Sequence, residues 1–172
     1  MADADPIAVG ERDTAADSTA LHINTVGRAQ IGDHETGARI ADHGMVAVDP
    51  SAVVDVDGSP TLTDGVDDIG GEARARHVYV MDGAADDVLA AWRAELADHA
   101  WVVTRDEAID AGWFGPRVAD DVRPRIGDVV AAARGSAAIV RRTTEPIESA
   151  LVGQHGSLTT AEQRIPLLIG YG

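Results

Sequence analysis

The chain has 172 residues and a formal net charge of −15, from 29 acidic side chains and 14 basic ones, all of them arginine. So negative a chain argues against binding to a nucleic-acid duplex or to an anionic membrane surface, since both depend on an excess of Lys and Arg. Cysteine is absent, which excludes disulfides, cysteine zinc sites and thiol catalysis.

The length is that of a single domain. Hydrophobic residues make up 45% of the sequence but aromatic residues only 3%, so the core is predicted to consist mainly of Ala and Val. The sequence has no apolar run of about 18 residues and no basic start followed by an apolar stretch. Neither a membrane span nor a secretory signal is therefore predicted, and we expect a cytoplasmic protein.

The first half of the chain contains few regular patterns. Residues 1–36 show no apolar period of 2 or 3.6 and are predicted to be irregular. Short apolar runs predict strands at 46–48, 53–56 and 77–81. Between them, residues 58–71 contain one proline and several glycines, and this stretch is interpreted as turn-rich.

Residues 84–99 show the strongest helical pattern, an apolar stripe at helical spacing. Its members are Val88, Leu89, Trp92 and Leu96. A strand at 101–103 follows, and then Thr104 and Glu107 have the spacing of a capping box that begins a short helix. Residues 77–112 are thus predicted to form a strand–helix–strand–helix unit.

Residues 126–133 and 137–141 are apolar runs on either side of Arg134-Gly135-Ser136, a pattern that predicts a hairpin. Residues 160–163 are expected to form one helical turn and residues 165–169 a final strand. The aromatic residues of the 112–116 segment are assigned to core packing, with a docking loop as the alternative.

Histidines are the main candidates for chemistry. Asp42 and His43 stand side by side before Gly44, and His155 lies in a second glycine-containing segment. Carboxylate oxygen and imidazole nitrogen suit zinc, and glycine allows the close backbone approach that a metal loop needs. By spacing alone, a polar loop residue is the simpler interpretation of both histidines. His77 is interpreted as a solvated surface residue.

Three ordered motifs resemble the C-terminal half of the type I phosphodiesterase/nucleotide pyrophosphatase family, which belongs to the alkaline phosphatase superfamily. They are Ala41-Asp42-His43-Gly44-Met45, Gly153-Gln154-His155-Gly156-Ser157-Leu158-Thr159 and Ile165-Pro166-Leu167-Leu168. Three intervening segments are also similar, namely Gly71-Glu72-Ala73-Arg74, Trp113-Phe114-Gly115-Pro116 and Pro124-Arg125-Ile126-Gly127-Asp128. The resemblance covers about residues 38–170.

The resemblance implies an α/β fold, a partial alkaline-phosphatase-like sandwich with the strand–helix–strand–helix unit as an insert. It also implies a binuclear zinc hydrolase that acts on small phosphodiester or nucleotide substrates. Carried over from the family, Asp42 and His43 bind the zinc that holds the nucleophile, and His155 binds the second zinc. Asp17 and His22 are the nearest candidates for the remaining ligands, although they are five residues apart instead of the family's four.

The family's nucleophile, a Thr or Ser well upstream of the Asp-His pair, has no match, so no catalytic nucleophile is identified. We expect residues 1–37 to be an irregular, unmatched segment and residues 38–172 to be the C-terminal portion of the catalytic domain, from a truncated, decayed or frameshifted gene. Hydrolysis of phosphodiester or pyrophosphate bonds by this chain alone is expected to be weak or absent. The alternatives are a non-enzymatic acidic α/β remnant or binding domain, and a sibling branch such as a sulfatase or phosphomutase.

Overall fold

The computed structural model describes residues 44–164. In chain order the elements are β1 Val46–Ala47, β2 Val53–Asp55, α1 Pro60–Thr63, β3 Val66–Glu72, β4 Ala75–Val80, α2 Ala85–Glu95, β5 Ala100–Thr104, α3 Arg105–Asp110, β6 Val129–Ala133, β7 Ala138–Val140, β8 Gly153–Gln154 and α4 Thr160–Gln163. The expected irregular segment at 1–37 and the expected strand at 165–169 lie outside these residues. None of the helices within 44–164 combines the length and apolarity needed to cross a bilayer.

The largest sheet has four antiparallel strands in the order β3-β4-β6-β5. All five residues of β6 are buried because both faces of the sheet are covered. Val129 and Ala131 join the core cluster under α2, while Val130 joins the cluster under α3. The apolar run predicted as a strand is therefore the central layer of the fold.

Helix α2 covers one face of this sheet with the predicted apolar stripe. Val88, Trp92 and Leu96 are buried against the sheet, and Leu89 packs at the edge of the same cluster. The indole Nε1 of Trp92 donates to the carbonyl of Leu62 at 3.1 Å, so its buried N–H is satisfied by α1. The predicted helix is confirmed, although it ends at Glu95.

Helix α3 begins at the predicted capping box. The hydroxyl of Thr104 accepts from the Glu107 N–H at 3.1 Å, and the Glu107 carboxylate accepts from the Thr104 N–H at 2.7 Å. These bonds satisfy two amides that a helix start otherwise leaves unpaired. The strand–helix–strand–helix unit is confirmed, and Trp113 and Phe114 pack on the α3 side of the core as expected.

The interpretation of residues 58–71 as turn-rich is wrong, because they form α1 and most of β3. Ser59 caps α1 through its hydroxyl. Gly71 has φ +83°, and a Cβ there would lie 2.3 Å from the carbonyl oxygen of Ala75. This glycine allows close backbone approach inside a strand pair, a role that the turn interpretation missed.

The predicted hairpin between residues 126–133 and 137–141 is also wrong. Strand β6 pairs with β4 and β5, whereas β7 pairs in parallel with β2. The turn at Ala73 and Arg74 lies between the two strands: the Ala133 N–H donates to Arg74 O at 2.8 Å, and the Ile139 N–H donates to Ala73 O at 2.7 Å. The hydrogen bonds a hairpin would need are thus made to a third segment.

His77 is half-buried and not solvated as the sequence suggested. Its Nδ1 accepts from the Gly127 N–H at 3.1 Å, and its ring lies 5.7 Å from the ring of Phe114. Burial lowers the pKa of His77, since the charged imidazolium is poorly solvated there. An acceptor at Nδ1 also requires the neutral ring with its proton on Nε2.

We predict that Gly127→Ala lowers the free energy of unfolding by about 1–3 kcal/mol through overpacking. A Cβ at Gly127 would lie 2.5 Å from Val78 N and 2.8 Å from His77 C, both backbone atoms that cannot swing away. Urea denaturation measures the change. The matched control is Gly58→Ala, whose Cβ would meet nothing closer than 3.8 Å and should change stability by less than about 0.5 kcal/mol. Equal effects of the two substitutions would contradict the prediction.

The stability of the chain should fall on acidification through His77. The pKa of His77 is lowered in the folded state, so the unfolded chain binds the extra proton first. The contribution of neutral His77 to the free energy of unfolding is complete above the ordinary histidine pKa of about 6.5, and it is lost as the pH falls below that value. In His77→Asn the side-chain amide oxygen can accept from the Gly127 N–H in place of Nδ1, but it does not titrate. The midpoints of urea denaturation at pH 7.5 and 5.5 should therefore differ less in this variant than in the wild type. Identical pH dependence would overturn this assignment.

Candidate functional site

The two motifs that suggested a metal site are joined by the β1–β8 ladder. Val46 pairs with Gln154 and Ala47 with Gly153 in antiparallel register, and the Val48 N–H donates to Val152 O at 2.8 Å. In an antiparallel pair the start of one strand faces the end of the other. The residues just before β1 and just after β8 therefore lie at the same edge of this ladder.

Gly44, which follows His43 in the sequence, packs directly on helix α4. Its N–H donates to the carbonyl of Glu162 at 3.2 Å, and the residue is buried. A Cβ at this position would lie 1.8 Å from the carbonyl oxygen of Ala161. The glycine of the Asp-His-Gly motif is thus required sterically, because no larger residue fits between this backbone and α4.

The loop after β8 is held by the side chains of α4 and its own hydroxyls. Glu162 Oε1 accepts from the Ser157 N–H at 3.0 Å, and Gln163 donates to Ser157 O at 3.0 Å. The Ser157 hydroxyl donates to Ala133 O at 2.6 Å, which ties the loop to the end of β6. The Thr159 hydroxyl donates to Glu162 Oε2. Both hydroxyls are therefore engaged in shaping the loop.

Beneath this loop lies a buried ion pair between Arg74 and Glu162. The Arg74 Nε donates to Oε1 at 2.7 Å and Nη2 donates to Oε2 at 2.8 Å, so the contact is bidentate. Arg74 also donates to Ala137 O at 2.6 Å and, more weakly, to Ala133 O at 3.4 Å. Removing one partner of a buried pair costs about 3–5 kcal/mol, because the other charge is left unsatisfied.

The structural role of Arg74 is not predicted by the sequence patterns described above. Its segment stands out only through the family resemblance, since an arginine in a strongly charged chain is ordinarily a surface residue. One pattern in the sequence does point to it. Arg74 and Arg76 are two residues apart with alanines beside them, so in an extended strand both cations lie on the same face. The structure buries both side chains completely or nearly so, at 0% and 1% exposure.

Arg76 forms a second ion pair, with Glu145, at 2.7 Å. Its Nε donates to Ile139 O at 2.9 Å, and its Nη1 donates to Gly71 O at 3.0 Å. These contacts connect β3 and β7 to the 141–145 segment and do not reach the loop after β8. The pair therefore has the same chemistry as Arg74 and Glu162 but a different location.

Asp57 holds the start of the same 141–145 segment. Burial alone raises the pKa of its carboxyl, but hydrogen bonds from the Thr144 and Thr143 amides, from the Thr144 hydroxyl and the nearby Arg141 charge outweigh this, so the pKa is lowered. Asp57 is therefore an ionised structural residue at neutral pH.

Of the metal ligands suggested by the sequence, the structure describes His155, which is half-buried directly after β8. Asp42, His43, Asp17 and His22 lie outside the described residues. Within residues 44–164, no three His, Asp or Glu side chains are grouped as a cation site would require. The assignment of Asp42, His43 and His155 to a binuclear zinc site, which would require them to lie close together, stays a prediction.

We predict that Gly44→Ala separates β1 from α4, because its Cβ would collide with the carbonyl oxygen of Ala161 at 1.8 Å. Amide hydrogen exchange should accelerate at Val48, which bonds Val152 across the ladder, by tenfold or more, equivalent to about 1.4 kcal/mol. The control is Gly153→Ala, whose Cβ would meet only the flexible end of Met45, at 3.2 Å. Unchanged protection of Val48 in Gly44→Ala would show that the contact with α4 is dispensable.

Solved structures with the same fold include three of ectonucleotide pyrophosphatase/phosphodiesterase 5. The murine protein, as an inactive variant in complex with AMP, has a TM-score of 0.54 at 20% identity over 70% of this chain and 29% of that chain. A second murine structure has a TM-score of 0.55 at 19% identity, over 87% of this chain and 37% of that chain. The human protein has a TM-score of 0.52 at 15% identity, over 82% of this chain and 34% of that chain.

These similarities establish the fold class, an α/β alkaline-phosphatase-like sandwich of which the described residues form a part. The chain spans about a third of the length of these relatives. No curated protein matches it significantly. The family model for type I phosphodiesterase/nucleotide pyrophosphatase matches residues 39–158, well over half of the sequence. The chain therefore belongs to the type I phosphodiesterase/nucleotide pyrophosphatase family.

Proposed function

We propose that residues 38–172 form the C-terminal portion of a metal-dependent catalytic domain that hydrolyses phosphodiester or pyrophosphate bonds in nucleotide-like substrates. The observation that carries the proposal is the β1–β8 ladder, which brings the flanks of the two family motifs to one edge. The AMP complex of the murine relative supports a nucleotide-like substrate.

Asp42 and His43 are the proposed ligands of one zinc ion, and His155 is the proposed ligand of the other. Consecutive Cα atoms are about 3.8 Å apart, so His43 is one such step from Gly44. Gly44 N lies 3.2 Å from Glu162 O, and Glu162 Oε1 lies 3.0 Å from Ser157 N. These short connections support convergence of the motifs. Asp17 and His22 are proposed as further ligands.

The donor set fits zinc, which accepts carboxylate oxygen and imidazole nitrogen. Zinc ions held by these residues would supply charge neutralisation in phosphoryl transfer and activation of a nucleophile. The described residues around His155 contribute by fixing the loop that carries it. Ser157 is 1% exposed and donates its hydroxyl proton to Ala133 O, so it cannot approach a substrate as a nucleophile.

This chain alone should therefore hydrolyse a nitrophenyl phosphodiester weakly or not at all, even with added zinc. Zinc binding, measured by calorimetry at pH 7.5, should nevertheless depend on the proposed ligands. Asp42→Ala and His155→Ala should each weaken zinc affinity at least about tenfold. Removing even a residue that only supports a ligand commonly has an effect of this size, and removing the ligand itself should cost no less. The control is His99→Ala, which removes a histidine that immediately precedes β5 and is not a proposed ligand.

Equal zinc affinity in the wild type and all three variants would contradict the ligand assignment and favour a non-enzymatic acidic α/β domain. Robust turnover by the wild type that collapses in Asp42→Ala and His155→Ala would confirm the reaction but overturn the expected weak activity. It would also show that the chain supplies its own nucleophile.

A further inference from the structure

We infer that the buried pair of Arg74 and Glu162 is a positioning pair, which sets the separation of the two segments that carry the metal ligands. The inference rests on the proposed function, because it assigns Asp42, His43 and His155 to one site. Neither Arg74 nor Glu162 is proposed as a ligand. Their role is to hold the backbone from which the ligands project.

Glu162 contacts both segments at once. Its carbonyl oxygen accepts from Gly44 N at 3.2 Å, one residue after His43, and its carboxylate accepts from Ser157 N at 3.0 Å, two residues after His155. A single residue thus bonds the backbone on each side of the proposed site. Any shift of Glu162 changes the position of one segment relative to the other.

Arg74 fixes Glu162 in turn. The carboxylate is buried, with 2% of its side chain exposed, so water cannot replace a lost partner. The guanidinium grips both carboxylate oxygens, and its remaining donors bond Ala137 O and Ala133 O, at the start of β7 and the end of β6. The planar fork of arginine makes these bonds together, which the ammonium of lysine cannot do. These bonds tie Glu162, and through it the two ligand segments, to the end of β6 and the start of β7.

The ion pair of buried Arg76 with half-buried Glu145 provides a control for a purely structural role. Arg76 is 1% exposed and grips Glu145 with both terminal nitrogens, at 2.7 and 3.2 Å. None of its partners lies in the loop after β8 or at Gly44. Arg74→Lys and Arg76→Lys therefore both disturb a buried arginine in a bidentate pair, although Glu145 is 26% exposed and Glu162 only 2%. Only the first substitution should affect the ligand segments.

The experiment compares zinc affinity and amide exchange in the wild type, Arg74→Lys, Glu162→Gln and Arg76→Lys, well below each unfolding midpoint. Calorimetry with zinc alone should show about tenfold or greater weakening in the first two variants and less than twofold in Arg76→Lys. In the metal-free chain, hydrogen exchange at Gly44 and Ser157 should accelerate together in Arg74→Lys and stay unchanged in Arg76→Lys.

Zinc affinity in Arg74→Lys equal to that of Arg76→Lys would overturn the inference, and so would exchange that changes at Gly44 and Ser157 independently. If Arg74→Lys does not fold, Glu162→Gln, which keeps the size of the side chain and an acceptor for Ser157, supplies the same two readings. Absence of zinc binding in the wild type would contradict the proposed function. Coupled exchange at the two amides would then still support the positioning role, whereas uncoupled exchange would reject it.

Discussion

The tertiary structure depends on a charged group placed where an apolar one would be expected. Arg74 is fully buried, and its guanidinium is surrounded by the Glu162 carboxylate and two backbone carbonyls. Such a pair is tolerated in a low-dielectric interior only when the geometry is good and further hydrogen bonds satisfy the remaining donors. Here those bonds go to the ends of β6 and β7. The pair therefore ties α4 to the end of β6 and to the start of β7.

The described residues contain one robust unit and two marginal ones. The four-stranded sheet has helices α2 and α3 on opposite faces and carries most of the apolar core. The β1–β8 and β2–β7 pairs have two strands each, and an isolated two-stranded pair is marginal in water. The β2–β7 pair is tied to the four-stranded sheet by three arginines: Arg74 donates to Ala137 O, Arg76 to Ile139 O and Arg141 to Ile69 O. The proposed site lies at the edge of the β1–β8 pair, whose flanks Gly44 and Ser157 are bonded to Glu162 of α4, so its geometry depends on polar contacts more than on the core.

Three residues in this chain meet requirements that the backbone itself sets. Gly44 and Gly127 each lie where a Cβ would overlap backbone atoms. Asp128 accepts from Arg105 at 2.6 Å and from the Val80 N–H at 3.1 Å, which joins α3 to the sheet. All three positions belong to segments that resemble the family.

The sequence by itself determined the local structure: the apolar stripe of α2, the capping box of α3, the buried run of β6 and the single turn of α4 all follow from spacing within about a dozen residues. It also carried the family resemblance, through short ordered motifs. Tertiary structure alone decided that β6 and β7 do not pair, that Gly71 lies within a strand, and that Arg74 and Glu162, 88 residues apart, meet in the interior. The reason is physical: segments distant in sequence compete to pair as strands and to form buried ion pairs. The outcome depends on the free energy of the whole fold, which local propensity does not contain.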